Sequence, residues 1–555
     1  MTQNPHTSGT APLRVEDLRV AFPGGPGRPE ATALAGLSFE LAQGQALGLV
    51  GESGSGKSAA ALALLGLHRG TAARVGGRIL VRPRSAGGEV EDEIEVNSAD
   101  ERTLRRIRGR ELAMIFQEPL TSLDPYRRVG EQIATVRRLH FGEGRKQAAA
   151  RAAEALEKVG IDAAGKYRAY PHEFSGGMRQ RALIAMAIAL EPRVLVADEP
   201  TTALDATVQA QILELLSELR RETGMSMILI SHDLAVVAGN VDEVLVLKSG
   251  EQVERGPVGE VLTTPQHPYT QALLAAIPRL DAELPQREPA DAARRPLVRV
   301  RGLEVTFPAK RGAAQTRAVA GVDLELREGE SLGIVGESGS GKTTLGRSLV
   351  RLQQPTAGTI EFDGRPLDSW RGRALRQHRR EMQLIFQDPA SSLNPRRSVG
   401  ESIAEPLRVQ GEKDRERLTA SVGEILERVG LDRGLYHRYP HQLSGGQRQR
   451  AAIARALILR PRLVVCDEPV SALDVTTQAQ VVRLLRELRD EFELTLVFIA
   501  HDLAVVRQVS DRIAVMEAGR VVEILPAAEL ARAQDPYTRA LLAAVPELPA
   551  LGAAA

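Results

Sequence analysis

The chain of 555 residues contains one cysteine, Cys466, so no internal disulfide and no all-cysteine zinc site can form. Its formal charge is +1. A binder of phosphodiester backbones usually carries a basic excess, and no nucleic-acid partner is expected. No stretch approaches the roughly 18 uninterrupted apolar residues of a membrane-spanning helix. The opening MTQNPHTSGTAP has neither the basic nor the apolar segment of a secretory signal. The expectation is a protein that stays on the cytoplasmic side and, if it acts at a membrane, does so through partners. Apolar residues at 43% and charged residues at 26% suit globular cores with wetted surfaces. The length leaves room for two or more domains.

What the chain does have, it has twice. GESGSGKS (51–58) returns as GESGSGKT (336–343), and FQEPLTSLDP (116–125) as FQDPASSLNP (386–395). FSGGMRQR (174–181) returns as LSGGQRQR (443–450), VADEP (196–200) as VCDEP (465–469), and SHDLAVV (231–237) as AHDLAVV (501–507). Landmarks recurring in one order are the mark of a duplication. The spacing shortens by 15 after the first landmark and then holds, so the first half carries extra chain between about Arg69 and Arg110. That stretch includes the acidic EVEDEIEV (89–96), read as a solvated strand or loop. PQREPADAARR, polar and without apolar periodicity, marks a linker over 281–296. The domains are placed at 12–280 and 297–550.

The repeated loop is crowded with glycine and serine, which would ruin a helix or a strand but suit a turn whose N–H groups converge on an anion. ALGLV (46–50) before it is a short apolar strand, and SAAALALLGL (58–67) after it forms helix readily. Strand, glycine loop and helix N-terminus in that order make the phosphate cradle called the P-loop. The cradle is expected to comprise Gly51, Glu52, Ser53, Gly54, Ser55 and Gly56, and again Gly336, Glu337, Ser338, Gly339, Ser340 and Gly341. Lys57 and Lys342 would neutralise the β- and γ-phosphates of ATP, and Ser58 and Thr343 would offer hydroxyls to Mg²⁺. RVLVADEP and RLVVCDEP are apolar runs ending in Asp-Glu, as buried parallel strands that deliver acids at their C-terminal ends. Asp198 and Asp467 are assigned to the Mg²⁺ shell. Glu199 and Glu468 are assigned to orienting or deprotonating a water. MSMILISHD and LTLVFIAHD are further strands that bring His232 and His501 to the phosphate edge as γ-phosphate sensors.

Together these residues resemble the ABC ATPases, whose signature peptide FSGGMRQR and LSGGQRQR reproduce. P-loop, glutamine loop (Gln117, Gln387), signature, Asp-Glu pair, ALD turn (Ala203–Asp205, Ala472–Asp474) and histidine stand in that family's order, twice. The resemblance implies an α/β fold: tandem P-loop NTPase domains, each a RecA-like core with a mixed or parallel sheet, a β-subdomain and a helical signature subdomain. It also implies that Gln117 and Gln387 approach the Mg²⁺, and that an aromatic near each domain's start, Phe22 or Phe307, stacks on adenine. The competing reading of both phenylalanines is a strand-end core residue. In this family the signature completes the site of the opposite domain. Lys57 would therefore face Ser444, Gly445, Gly446 and Gln447, while Lys342 faces Ser175, Gly176 and Gly177, with the dimer formed within one chain. Met178 stands where the signature usually has glutamine; a thioether lacks the amide's hydrogen bonds, which puts the Lys342 site's activity in question.

The long glutamine-loop pattern, the signatures and the tails QHPYTQALLAAIP (266–278) and QDPYTRALLAAVP (534–546) resemble the oligopeptide/dipeptide (peptide/nickel) importer subfamily, its two usual ATPase subunits fused. The tail is read equally as an amphipathic helix that caps its domain. Implied partners are two integral-membrane permease subunits and, indirectly, an extracytoplasmic solute-binding protein, with this chain peripheral on the cytoplasmic face of the inner membrane. RKQAAARAAEALEKVG (145–160) has the helical pattern of the subdomain that would receive the permease. Some relatives append a cysteine cluster for an iron–sulfur centre; with Cys466 alone, none is expected. The competing class is a soluble tandem ABC ATPase, a translation factor or DNA-associated machine. Such proteins carry long charged arms, zinc cysteines or coiled-coil insertions, and this chain has none of these.

Overall fold

Alternation of apolar with polar residues in LRVEDLRVAF and ATALAGLSFEL gives strands β1 (Leu13–Phe22) and β2 (Ala31–Leu41) one buried face each. The computed structural model describes residues 11–24, 30–84, 92–117, 122–202, 204–282, 295–308, 315–388, 392–471 and 473–545. The chain passes from one compact unit to a second between Ile277 and Pro278. Most of the expected linker, the acidic residues 89–91, and Ala203 and Ala472 of the ALD turns lie outside the described residues.

In the first unit, β1 and β2 pair antiparallel, and β4 (Arg74–Val81) and β5 (Ile94–Glu95) extend that layer. The other layer holds β3 (Ala46–Val50), β6 (Leu112–Ile115), β7 (Val194–Asp198) and β8 (Ser226–Ser231), all parallel, with β9 (Glu243–Lys248) and β10 (Glu251–Pro257). The full order is β5-β4-β1-β2-β10-β9-β3-β8-β7-β6. Every residue of β3, β7 and β8 is buried, which is why these segments read as continuous apolar runs without alternation.

The second unit repeats the plan. Its antiparallel layer has order β12-β11-β14-β15, from β11 (Pro296–Phe307), β12 (Thr316–Arg327), β14 (Ala357–Phe362) and β15 (Arg365–Pro366). Its parallel-cored layer has order β16-β17-β18-β13-β19-β20. Those strands are β13 (Ser331–Val335), β16 (Met382–Ile385), β17 (Leu463–Asp467), β18 (Thr495–Ile499), β19 (Arg512–Glu517) and β20 (Arg520–Pro526). One sheet in the first unit against two in the second is a small difference. Ala35 donates to Gly250 O at 2.8 Å, and Ala320 donates to Gly519 O at 2.8 Å, so both units have the same junction. The first merely adds a bridge pair, Glu251 with Gly36.

The helix after each glycine loop is buried between its two layers. Ala60, Ala61 and Leu64 share a core with Leu34 of β2 and Leu47 of β3; Leu345 and Leu349 do so with Val322 and Leu332. The first runs Lys57–Leu64, ending three residues before SAAALALLGL does, because the chain turns at Gly66 with φ +63°. The expected helix in RKQAAARAAEALEKVG runs Arg145–Lys158 and buries Ala148, Ala152, Ala155 and Leu156, one face of a 3.6-residue period.

Two loop glycines separate conformational from steric need. Gly54 has φ +80° with open space where a Cβ would sit; Gly56 has φ +100° and a Cβ there would lie 2.2 Å from the backbone oxygen of Ala33. Gly54→Ala should therefore cost about 1–2 kcal/mol, the left-handed penalty alone. Gly56→Ala should cost clearly more, because backbone cannot move aside as a side chain does. Urea unfolding of the first unit should rank wild type above Gly54→Ala above Gly56→Ala.

Candidate active site

The parallel strands β3, β7 and β8 all end on one edge, where the glycine loop begins after Val50, the acids follow Ala197, and His232 follows Ser231. In each loop the tip, Ser53-Gly54 or Ser338-Gly339, is exposed, while Gly51, Ser55, Gly336 and Ser340 are buried. The Lys57 ammonium folds back to donate to Gly51 O at 2.7 Å and Glu52 O at 2.8 Å. Lys342 does the same with Gly336 O and Glu337 O, both at 2.7 Å. Both lysines are buried, and burial pulls the Lys342 ammonium's pKa down, opposed chiefly by Glu468.

Beside each lysine stands a hydroxyl–carboxylate pair. Ser58 Oγ donates to Asp198 Oδ1 at 3.3 Å, and Thr343 Oγ1 to Asp467 Oδ1 at 2.8 Å. Burial pushes the Asp198 carboxyl up to about 6, against the Ser58 hydrogen bond. Burial raises Asp467 likewise. Asp467 Oδ2 is buried with no hydrogen-bond partner; the nearest cation is Arg347, at 3.7 Å. A hydroxyl and a carboxylate with spare acceptor capacity are hard oxygen donors of the kind Mg²⁺ selects, and two such donors suit an ion that shares its shell with phosphates and water.

The neighbouring acids meet the opposite treatment. Burial would raise Glu199, but the His232 bond and charge, the Thr202 hydroxyl and Lys57 more than offset it and hold its carboxyl below the usual range. His232 Nδ1 lies 3.2 Å from Glu199 Oε1, Gln117 Nε2 donates to Oε2 at 2.8 Å, and Thr202 Oγ1 donates to it at 2.9 Å. In the second unit Gln387 Nε2 donates to Glu468 Oε2 at 2.8 Å, with His501 Nδ1 at 3.9 Å. The His501 contact and Lys342 hold Glu468 down against burial. Burial would lower both imidazoles, yet their glutamates raise them. Glu199 and Glu468 adopt φ +47°, uncommon outside glycine, after Ile230 O and Ile499 O accept from their N–H groups at 3.0 and 2.9 Å. Each is an anionic carboxylate aimed off a strand end, in a form that can accept a proton from water. The structure places Gln117 and Gln387 on these glutamates rather than on the hydroxyl–aspartate pairs.

Ser175 and Ser444 are exposed N-caps of the helices Gly176–Ile188 and Gly445–Leu457. Their hydroxyls accept from Met178 N and Gln447 N, each at 3.3 Å. Gln447 Oε1 also accepts from Ser444 N at 3.1 Å, closing a capping box that Met178 has no oxygen to close. A Cβ on Gly177 would lie 2.6 Å from Val208 Cγ1, and one on Gly446 2.5 Å from Thr477 Cγ2, so each unit's own packing already needs the second glycine. The exposed helix N-terminus is suited to an anion. Phe22 and Phe307 end β1 and β11 at 38% and 39% exposure, so neither is a core residue. Phe22 pairs with Ala31, two residues from Ala33, against which Gly56 packs; Phe307 pairs with Thr316, two residues from Ala318, against which Gly341 packs. Two contacts with the loops were not read from the sequence. Tyr269 Oη, from the tail motif, accepts from Glu52 N at 3.1 Å, and Tyr537 Oη accepts from Glu337 N at 2.9 Å. The identical PYT in both tails was the available signal.

Glycine loop, folded-back lysine, hydroxyl–aspartate pair and strand-end glutamate with histidine define a P-loop ATPase, assembled once in each unit. The chain belongs to the ABC transporter family. The profile described as "ABC transporter" matches residues 34–202 and 319–471, and that described as "Oligopeptide/dipeptide transporter, C-terminal region" matches 253–299. The chain is 46% identical to the glutathione import ATP-binding protein GsiA of Escherichia coli O157:H7 and to that of Escherichia coli strain K12, over 567 and 562 residues. It is 45% identical over 563 residues to the protein of that name from Salmonella typhimurium strain LT2. Each alignment covers 96% of this chain and 89% of the relative. ABC ATP-binding proteins hydrolyse ATP, and this chain is an ATPase of that kind.

The two signature caps differ by one hydrogen bond, which sets an expectation for stability. Gln447→Met should lower the second unit's unfolding free energy by about 0.5–1 kcal/mol, and Met178→Gln should raise the first unit's by a similar amount. Paired urea titrations of the purified chain check both signs.

Proposed function

We propose that the protein is the ATP-binding and hydrolysing subunit that energises an importer of peptides or related small solutes. The observation that carries the hydrolytic part is the Glu199–His232–Gln117 cluster beside the glycine loop, repeated as Glu468–His501–Gln387. Two nucleotide-binding domains, 12–280 and 297–550, are joined by 281–296. Each glycine loop binds the triphosphate through its backbone N–H groups and its lysine. Mg²⁺, held through Ser58 and Asp198 or Thr343 and Asp467, supplies charge neutralisation at the β- and γ-phosphates when bound. Gln117 and Gln387 sense that site, and Phe22 and Phe307 stack on adenine. Glu199 and Glu468 orient the attacking water and take its proton; His232 and His501 hold the glutamates and touch the γ-phosphate.

The signature motifs explain the duplication. Ser175, Gly176 and Gly177 cover the nucleotide on Lys342, and Ser444, Gly445, Gly446 and Gln447 cover the nucleotide on Lys57. ATP then joins the domains and hydrolysis releases them. In support, both signature serines cap exposed helix N-termini. A groove lined by Leu352, Met382, Pro406, Ala452, Arg455 and Phe386, the residue before Gln387 in sequence, is assigned to a helix of one of two permease subunits. Among the described residues no helix is long and apolar enough to cross a membrane, and the subunit is assigned to the cytoplasmic face of the inner membrane, held there by the permeases. A solute-binding protein would deliver cargo to the permeases. Glutathione, named for the relatives, is the first cargo to assay.

Glu199→Gln combined with Glu468→Gln should bind ATP with wild-type affinity and lose steady-state turnover by at least about 100-fold. Wild-type hydrolysis would refute the roles. Lys57→Ala and Ser444→Arg should each damage one shared site, so the double variant should be little worse than either; multiplicative losses would separate the two sites. Co-purification with two integral membrane proteins supports the importer reading, whereas sedimentation with ribosomes would favour a soluble translation factor.

A further inference from the structure

The first peptide unit of each glycine loop is gripped at both ends. Its oxygen, Gly51 O, accepts from Lys57 Nζ at 2.7 Å, and its N–H, on Glu52, donates to Tyr269 Oη at 3.1 Å. The second unit repeats the arrangement, with Gly336 O on Lys342 at 2.7 Å and Glu337 N on Tyr537 Oη at 2.9 Å. A peptide unit is planar, so fixing its N–H fixes the direction of its C=O. The tyrosine therefore sets where the carbonyl points, and the carbonyl sets where the ammonium sits. The lysine can serve a phosphate only by sharing its donors with the carbonyls. The tyrosine bond lies on the opposite end of the same plane and is not drawn upon.

Both tyrosines are themselves held. Tyr269 is the second residue of the helix Pro268–Ala276, and Tyr537 the second of Pro536–Ala543. Glu254 of β10 accepts from the N–H groups of Gln266 and His267 at 2.7 and 3.2 Å, fastening the approach to the first helix. Glu523 of β20 does the same for Gln534 and Asp535, at 2.9 and 3.4 Å. The N-cap side chains then accept from the tyrosines' own N–H groups, His267 from Tyr269 at 3.1 Å and Asp535 from Tyr537 at 2.8 Å. Lys248 Nζ lies 5.0 Å over the Tyr269 ring, and burial keeps the Tyr537 phenol protonated, its pKa pushed up to about 12.

We propose that Tyr269 and Tyr537 are positioning residues for nucleotide binding: each tail helix, through its tyrosine hydroxyl, fixes the plane of the loop's first peptide unit and thereby aims Lys57 or Lys342. The tail segment is then part of the ATP site and more than a cap on its domain. The inference rests on the reading that the glycine loops hold ATP.

The test uses the full chain and the fluorescent nucleotide MANT-ATP. Tyr269→Phe with Tyr537→Phe keeps both rings and removes both hydroxyls. It should raise the Kd for MANT-ATP and the KM for ATP about three- to ten-fold, the worth of one hydrogen bond per site, and change kcat less. Thr270→Val with Thr538→Val is the control, since these buried hydroxyls lie one residue further along the same helices and have no hydrogen-bond partner. It should leave Kd unchanged. A Kd within two-fold of wild type in the tyrosine variant, or an equal rise in the threonine variant, would overturn the inference. Lys57→Ala with Lys342→Ala tests the underlying reading separately: retained wild-type affinity there would mean that the loops do not hold the nucleotide.

Discussion

Two close backbone approaches hold each glycine loop in place. A Cβ on Gly51 would lie 2.2 Å from Leu247 O of β9, and one on Gly56 2.2 Å from Ala33 O of β2. The loop is thus pressed between the parallel-cored layer and the antiparallel layer, and each layer supplies one carbonyl. A Cβ on Gly336 would lie 2.1 Å from Met516 O of β19, and one on Gly341 2.0 Å from Ala318 O of β12. With the loop pinned, its lysine has two carbonyls of its own to fold onto and its helix has a fixed starting point.

The electrostatics of the site follow from burial acting on unlike neighbours. Asp198 and Glu199 are adjacent in sequence, yet one carboxyl is pushed up and the other held down. The aspartate ends a fully buried strand and accepts one hydroxyl bond. The glutamate, turned out by its positive φ, collects an imidazole, an amide and a hydroxyl. Environments that push two acids apart divide their labour, one toward a cation and one toward a proton. Asp467 and Glu468 show the same rule in the second unit, one raised by burial and one held down by the His501 contact, while burial raises the Cys466 thiol and leaves it a small apolar filler.

The duplicated units agree in plan and differ in detail. The hydroxyl–aspartate contact shortens from 3.3 to 2.8 Å from the first unit to the second, while the histidine–glutamate contact lengthens from 3.2 to 3.9 Å. Arg347 approaches Asp467 where the first helix has Leu62. Only the second signature closes a capping box. Duplicated domains that keep their glycines and acids while varying the residues around them can diverge in rate without losing the fold.

Much of this was legible in the amino-acid order because the chemistry leaves few options. Glycines that admit a neighbouring backbone, a lysine and a hydroxyl at fixed distance from them, and Asp-Glu after an apolar run announce a P-loop strand–turn–helix wherever they occur. The wholly buried strands were visible as uninterrupted apolar segments, and the helix at 145–158 as a 3.6-residue stripe. Contacts made across large sequence separations were not legible. Gln117 reaches Glu199 over 82 positions and Tyr269 reaches Glu52 over 217. The sequence named the glutamine without showing that it meets the glutamate, and showed the tyrosine only as part of a repeated tail. Sequence by itself determined the duplication, the residue types of the site and the local turns that present them, since these depend on neighbours a few positions away. Tertiary structure alone decided which groups touch, because hydrogen bonds are set by the packing of two layers and the tail helix, and no local pattern encodes that distance.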